Sequence, residues 1–295
     1  MPNRTGGLRR ALPTVGSILL AVSLAACGAI AGGTPSPSPR PTPAPSAAVP
    51  HSSDPTVLIL RAEQAGGFVA PDFIVTRTPQ FSLYGDGTVI YQLPPDPNAG
   101  NSLGPPALAR AEMKPEQVDA LLLFALNTGH LADAKAQYLN NYVADAPDTV
   151  FTLATAALSK TVTIQALGIA PDPLGPDATT LSALGQLWGL LSNFGAEVQR
   201  GDATAAGTYE PAAYRGILAD GQAQPGAKPW PWTDLTTADF MASGAFGFRI
   251  GVLTPAQAKL LTDAPQGGLY ATPVTGPDQT PYTIALRPLL PDETT

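Results

Sequence analysis

The sequence predicts an α+β fold: antiparallel hairpins with about three amphipathic helices, preceded by a disordered Pro-rich tether. Two observations carry the prediction. Short alternating apolar runs flank turn residues at Gly85-Asp86-Gly87 and again after Phe151, as paired strands do. Between and after them lie stretches with apolar residues at helical spacing. Hairpins interleaved with helices, in place of regular strand-helix alternation, favour α+β over a doubly wound parallel sheet.

Taken in order, Thr56-Val-Leu-Ile-Leu-Arg61 reads as a strand that ends at Gly66-Gly67. Gln80 to Tyr84 and Thr88 to Gln92 form a hairpin about Gly85-Asp86-Gly87, because Gly supplies the positive φ of a tight turn. Val118, Leu121, Leu122, Ala125 and Leu126 make the stripe of a helix that starts at Pro115 and stops at Gly129. Phe151 to Ala154 and Thr161 to Ala166 alternate about Ser159-Lys160 as a second hairpin. Leu181, Leu184, Leu187, Trp188, Leu191, Phe194 and Val198 mark a second, longer helix. Thr254-Pro-Ala-Gln257 is a capped start for a third, and Tyr282, Ile284 and Leu286 alternate in a final strand. The Pro/Gly/Ala-rich stretch 201–229 is the best internal boundary in a domain expected to span 56–291. Lys114-Pro-Glu-Gln117 and Thr254-Pro-Ala-Gln257 open helices alike, which fits either duplication or a common helix start.

The amino terminus reads as an address. Arg4, Arg9 and Arg10 precede an uncharged run from Leu12 to Ala26, the n-region and h-region of a signal peptide over residues 1–26. The run is too short for a spanning helix, which needs about 20 apolar residues. Leu24-Ala25-Ala26-Cys27 resembles the lipobox of bacterial lipoproteins. The resemblance implies cleavage before Cys27, diacylglycerol on its thiol, acylation of the new amino terminus and palmitate-like chains as the membrane partner. Residues 27–55 then form a lipid-anchored Pro/Ser/Thr-rich linker, whose alternating prolines favour polyproline II.

Composition narrows function. Among 295 residues there are 16 Lys and Arg against 23 Asp and Glu. Loss of residues 1–26 removes three arginines and no acid, so 13 bases face 23 acids and the mature chain carries −10. Nucleic acid, which demands clustered bases, is excluded as a partner. One cysteine cannot form an intramolecular disulfide.

Catalytic signals are sparse. With Cys27 committed to lipid, His51 in the linker and His130 after a helix, no zinc set or Ser-His-Asp relay can be assembled, so no metal, cofactor or catalytic residue is assigned. Loop oxygen donors at Asp96, Asn98 and Asn101, at Asp145 and Asp148, and at Asp172 and Asp177 lack calcium-loop spacing. The most unusual segment is Pro229-Trp230-Pro231-Trp232, where two rings on a stiff loop either stack on a ligand or plug the core. Trp230 and Trp232 are therefore the ligand-binding candidates.

Phe81 to Tyr91, Tyr142 to Thr149 and Arg287 to Glu293 together resemble uncharacterised secreted lipoproteins of bacteria with Ala/Pro/Gly-rich proteomes. That resemblance implies class and location and brings no catalytic residue. The expected function is a lipid-anchored, extracytoplasmic, non-enzymatic module at the cell membrane, meeting an envelope protein or carbohydrate. The alternative is a surface hydrolase that attacks cell-wall carbohydrate through paired carboxylates.

Overall fold

Alternation of side chains builds the first sheet. In β1 (Leu58–Gly66), Leu60 and Ala62 are buried while Arg61 and Glu63 point to the opposite face. The same alternation runs through β2 (Phe81–Tyr84), β3 (Thr88–Gln92) and β4 (Leu108–Glu112), which pair antiparallel in sequence. With β5 (Gln137–Tyr138), β6 (Pro147–Ala154), β7 (Ser159–Gln165) and β8 (Thr204–Thr208) they complete an eight-stranded sheet ordered β5-β7-β6-β1-β2-β3-β4-β8. The computed structural model describes residues 48–94, 105–140, 142–169, 176–243, 246–263 and 265–293, which belong to one compact unit.

A second, six-stranded sheet follows in the chain. Its members are β9 (Tyr214–Asp220), β10 (Lys228–Pro229), β11 (Met241–Ala242), β12 (Arg249–Leu253), β13 (Leu269–Thr275) and β14 (Pro281–Pro288), ordered β10-β13-β14-β9-β12-β11. Both sheets are mixed, because β5 pairs parallel with β7 and β10 parallel with β13. With five helices among the described residues, the fold is α+β. The chain passes between sheets across residues 209–213, inside the Pro/Gly/Ala-rich stretch.

Helices cover one face of the first sheet. After α1 (Pro71–Thr76) come α2 (Pro115–Leu123), α3 (Ala178–Ser192) and α4 (Phe194–Arg200). Val118, Leu121 and Leu122 of α2 and Leu184, Leu187 and Leu191 of α3 pack on Leu60, Phe81, Val89, Phe151 and Val162. Phe194 closes the layer, 4.8 Å from Phe81 and 5.6 Å from Tyr91 between ring centres.

Several expectations need correction. The helix read through Leu181 to Val198 is two helices, broken at Asn193, whose φ of −119° and ψ of 37° leave the helical region. The break lets Phe194 turn into the core. The α2 stripe continues beyond Leu123 as a π turn over Phe124–Thr128. Gly129 ends it for lack of space and not for left-handed backbone: its φ is −76°, and a Cβ would lie 2.8 Å from the Ala125 carbonyl oxygen. His130 takes the left-handed position instead, at φ 58°. Ser159 and Lys160 lie within β7, and the turn falls at Thr155–Leu158, closed by Thr155 N–H to the Leu158 oxygen at 2.8 Å.

Packing begins before residue 56. The Val49 N–H donates to Asp119 of α2 at 2.8 Å, and the Pro50 carbonyl accepts from Ala156 at 2.8 Å. His51 contacts the Val49 oxygen through Nδ1 at 2.7 Å. Gly85 is needed where this segment passes, since a Cβ would lie 2.5 Å from the Ser52 oxygen. Gly87, at φ 86°, is the residue in the β2–β3 turn that needs glycine's conformational freedom.

Candidate functional site

The face of the first sheet opposite the helices is closed by the chain's own end. Leu290 is buried with Tyr84, Ile90, Leu108 and Tyr209 in a small apolar cluster. Around it runs an ionic network. Arg61 meets Asp292 at 2.7 Å, and Tyr84 donates its hydroxyl to the same carboxylate at 2.8 Å. Arg287 of β14 grips Glu293 with two bonds of 2.7 and 2.6 Å and donates through Nε to the Arg77 carbonyl at 2.8 Å. Glu293 also accepts the Leu290 N–H at 2.9 Å, and Tyr209 donates to the Leu289 carbonyl at 2.7 Å.

The network explains its titration. Burial alone would raise the Glu293 carboxyl, but the Arg287 guanidinium outweighs it and holds Glu293 below the usual carboxylate range. Burial raises the Tyr84 hydroxyl, and neighbouring Asp292 adds to the shift. Glu63, on the same face as Arg61, is raised by burial in spite of Arg61 and Arg287 nearby. The two ion pairs are largely buried: the Arg61, Asp292, Arg287 and Glu293 side chains are between 8% and 19% exposed.

The expected ligand-binding rings occupy the second core. Trp232 is 4% exposed, and its indole N–H donates to the Gln257 carbonyl at 3.0 Å. Trp230, half-buried, donates to the Leu235 carbonyl at 2.8 Å. Their rings stand edge to face at 5.1 Å and lean on Phe240 and Tyr282. Trp232 thus fills the core, the second of the two roles open to it in the sequence, while Trp230 is only half-buried beside it. Cys27 lies outside the described residues, as do Asp96, Asn98, Asn101 and Asp172. Among the described residues no three His, Cys, Asp or Glu side chains gather as a metal site, and no helix is long and apolar enough to cross a membrane.

The surface that can receive a ligand lies elsewhere. A groove of about 660 Å³ runs along the outer face of β3, β4 and β8 beside the closing segment. Thr88, Arg110, Thr208 and Glu210 supply its polar groups, while Ile90 and Tyr209 form an apolar floor. The elements that position these residues are rigid. Asp86 fixes the β2–β3 turn by accepting from Thr88 N–H and Oγ1, both at 2.9 Å. Tyr209 is held by its N–H to the Leu108 carbonyl at 2.9 Å. Arg110 is half-exposed and pairs with Glu112 at 3.2 Å, a contact weak enough for a ligand to replace. Hydroxyls, a guanidinium and carboxylates over an apolar floor fit a polar, extended ligand such as a peptide or sugar.

The chain matches no protein-family model, and comparisons with curated proteins and with solved structures returned no match. Sequence reading missed the groove because its walls come from residues 55–56, 86–90, 110, 206–210 and 291, which only the sheet gathers. The alternation of Thr88, Ile90 and Gln92 was the available signal.

Proposed function

We propose that the protein is a lipid-anchored, extracytoplasmic binding module whose groove on β3, β4 and β8 takes an envelope ligand. One observation carries the binding half of this reading: a polar-rimmed groove of about 660 Å³ stands on the hydrogen-bonded strands β3, β4 and β8. The anchor half rests on the lipobox-like Leu24-Ala25-Ala26-Cys27 at the end of an uncharged run. A mature charge of −10 leaves the lipid, and not a basic patch, to hold the chain at an anionic membrane.

Palmitate labelling tests the anchor. Label on the wild-type chain, with label and membrane retention both lost in Cys27→Ala, is expected; an unlabelled wild type overturns it. The groove is tested with the Cys27→Ala chain added to isolated cell envelopes. Thr208→Trp, which fills the groove from an exposed position of β8, is expected to abolish its retention without moving the unfolding midpoint, and unchanged retention overturns the reading.

Hydrolysis through carboxylates has one observation in its favour, the raised Glu63 near Asp292 and Glu293. Glu63→Gln decides it: loss of cell-wall hydrolysis supports an acid role, and a chain without hydrolytic activity before the change removes it.

A further inference from the structure

The free edge of the first sheet adjoins the groove. β8 ends the strand order, all five of its residues are exposed, and among the described residues its only backbone ladder is with β4. Such an edge offers a row of unpaired N–H and C=O groups to another strand. Natural edges are commonly blocked by Lys, Pro or an inward charge, and Thr204-Ala-Ala-Gly-Thr208 has none of these. Its one irregularity is a bulge near Gly207, at φ 91°. Ala206 and Thr208 both line the groove, so a strand added beside β8 would bring alternate side chains to the groove's rim.

Charge selects among occupants. Asp202 precedes β8 and Glu210 follows it, and Glu112 sits across from Thr204. Arg110 is taken by Glu112, and Arg200 is shared between Glu197 and Asp202, the latter at 3.6 Å. Acids therefore exceed bases around the edge. A second copy pairing antiparallel about Ala206 would set Asp202 of one chain opposite Glu210 of the other, a like-charge contact at both ends. A strand with basic ends meets attraction at both.

We infer that β8 is a strand-addition site for an extended polypeptide with uncharged, alternating central residues and basic flanks. This rests on the groove reading and specifies its ligand. Main-chain bonds to the edge supply affinity, and the groove reads every second side chain.

The test uses the full chain and a fluorescein-labelled Lys-Thr-Val-Thr-Val-Thr-Lys peptide, followed by anisotropy. Binding is expected, about tenfold weaker when the end lysines become glutamates, since attraction at both exposed ends becomes repulsion. The double variant Asp202→Lys with Glu210→Lys should invert that preference, which also shows that the variant is folded. N-methylation of alternate peptide amides, which removes main-chain donors, should abolish binding. Equal binding of the N-methylated peptide, no binding of any peptide, or wild-type dimerisation that Ala206→Lys abolishes would each overturn the inference. If it fails while Thr208→Trp still loses envelope retention, the groove reading stands alone; if retention is also unaffected, both fall.

Discussion

The first sheet is covered by α2, α3 and α4, and the leucines of α2 and α3 meet a face of mixed aliphatic and Phe side chains, whereas the second is roofed largely by loops carrying Trp230, Trp232 and Phe240. The two helix starts show the same divergence at smaller scale. At Thr254 the box is complete: Gln257 N–H reaches Thr254 Oγ1 at 3.2 Å, and Gln257 Oε1 accepts the Thr254 N–H at 2.9 Å. At Lys114 only the return bond forms, with Gln117 accepting the Lys114 N–H at 2.8 Å. Yet the better-capped helix, α5 (Pro255–Lys259), is five residues long, and α2 runs for nine before its π turn. Capping sets where a helix begins; the apolar stripe that can be buried sets how far it goes.

Breaking the aromatic roof should have the largest effect. Trp232→Ala removes a buried ring and is expected to cost about 3–5 kcal/mol in urea unfolding. The partly buried Trp188, whose ring meets Phe151 at 6.4 Å in the first core, should cost less when replaced. If both cost the same, the contrast between the two cores fails.

Next comes the ionic closure that joins the sheets. Arg287→Ala strands Glu293 and is expected to cost about 3 kcal/mol or more. It should also separate the unfolding of the two cores, read by Trp188 in one and by Trp230 and Trp232 in the other, using single-core Trp→Phe variants. Coincident transitions in the variant would show that the cores are coupled by other contacts.

A smaller effect is expected from pH. Glu293 is held low, so its stabilisation is present above the unfolded carboxylate range of about 4.3 and is lost as pH falls through its folded value. Glu63 is held high, so its contribution is present below that range and is lost as pH rises through its folded value. Glu63→Gln should therefore raise the Tm at pH 7 and leave it unchanged in strong acid, measured by calorimetry. A lower Tm at pH 7 would mean that ionised Glu63 is stabilised by Arg61 and Arg287 more than burial opposes it.

The smallest is at the helix starts. Thr254→Ala should cost about 1 kcal/mol, and Gln117→Ala less, because only one bond is lost. Equal losses would show that the two caps do the same work despite their different bonding.

Much of this fold was legible locally. The hairpin at Gly85-Asp86-Gly87, the stripe from Val118 and the final strand are each specified within about a dozen residues, by turn chemistry or by a period of two or 3.6. Errors arose where a neighbour decides. The helix through Leu181 to Val198 keeps its period across Asn193, and only the demand of Phe81 and Tyr91 for Phe194 explains the break. Gly129 marks the helix end in the sequence, but only the close approach of Ala125 and Leu187 shows why a glycine stands there.

By itself the sequence determined the α+β class, the order of the main hairpins and helices, and an expected lipid address at Cys27. Those depend on periodicity, turn residues and local motifs, which a linear chain displays. Tertiary structure alone decided that Trp232 is core, that Arg61 pairs with Asp292 across 231 positions, and that a groove forms beside the β8 edge. Such features are built from residues remote in the chain, and their energies come from burial and desolvation, which exist only once the sheets have assembled.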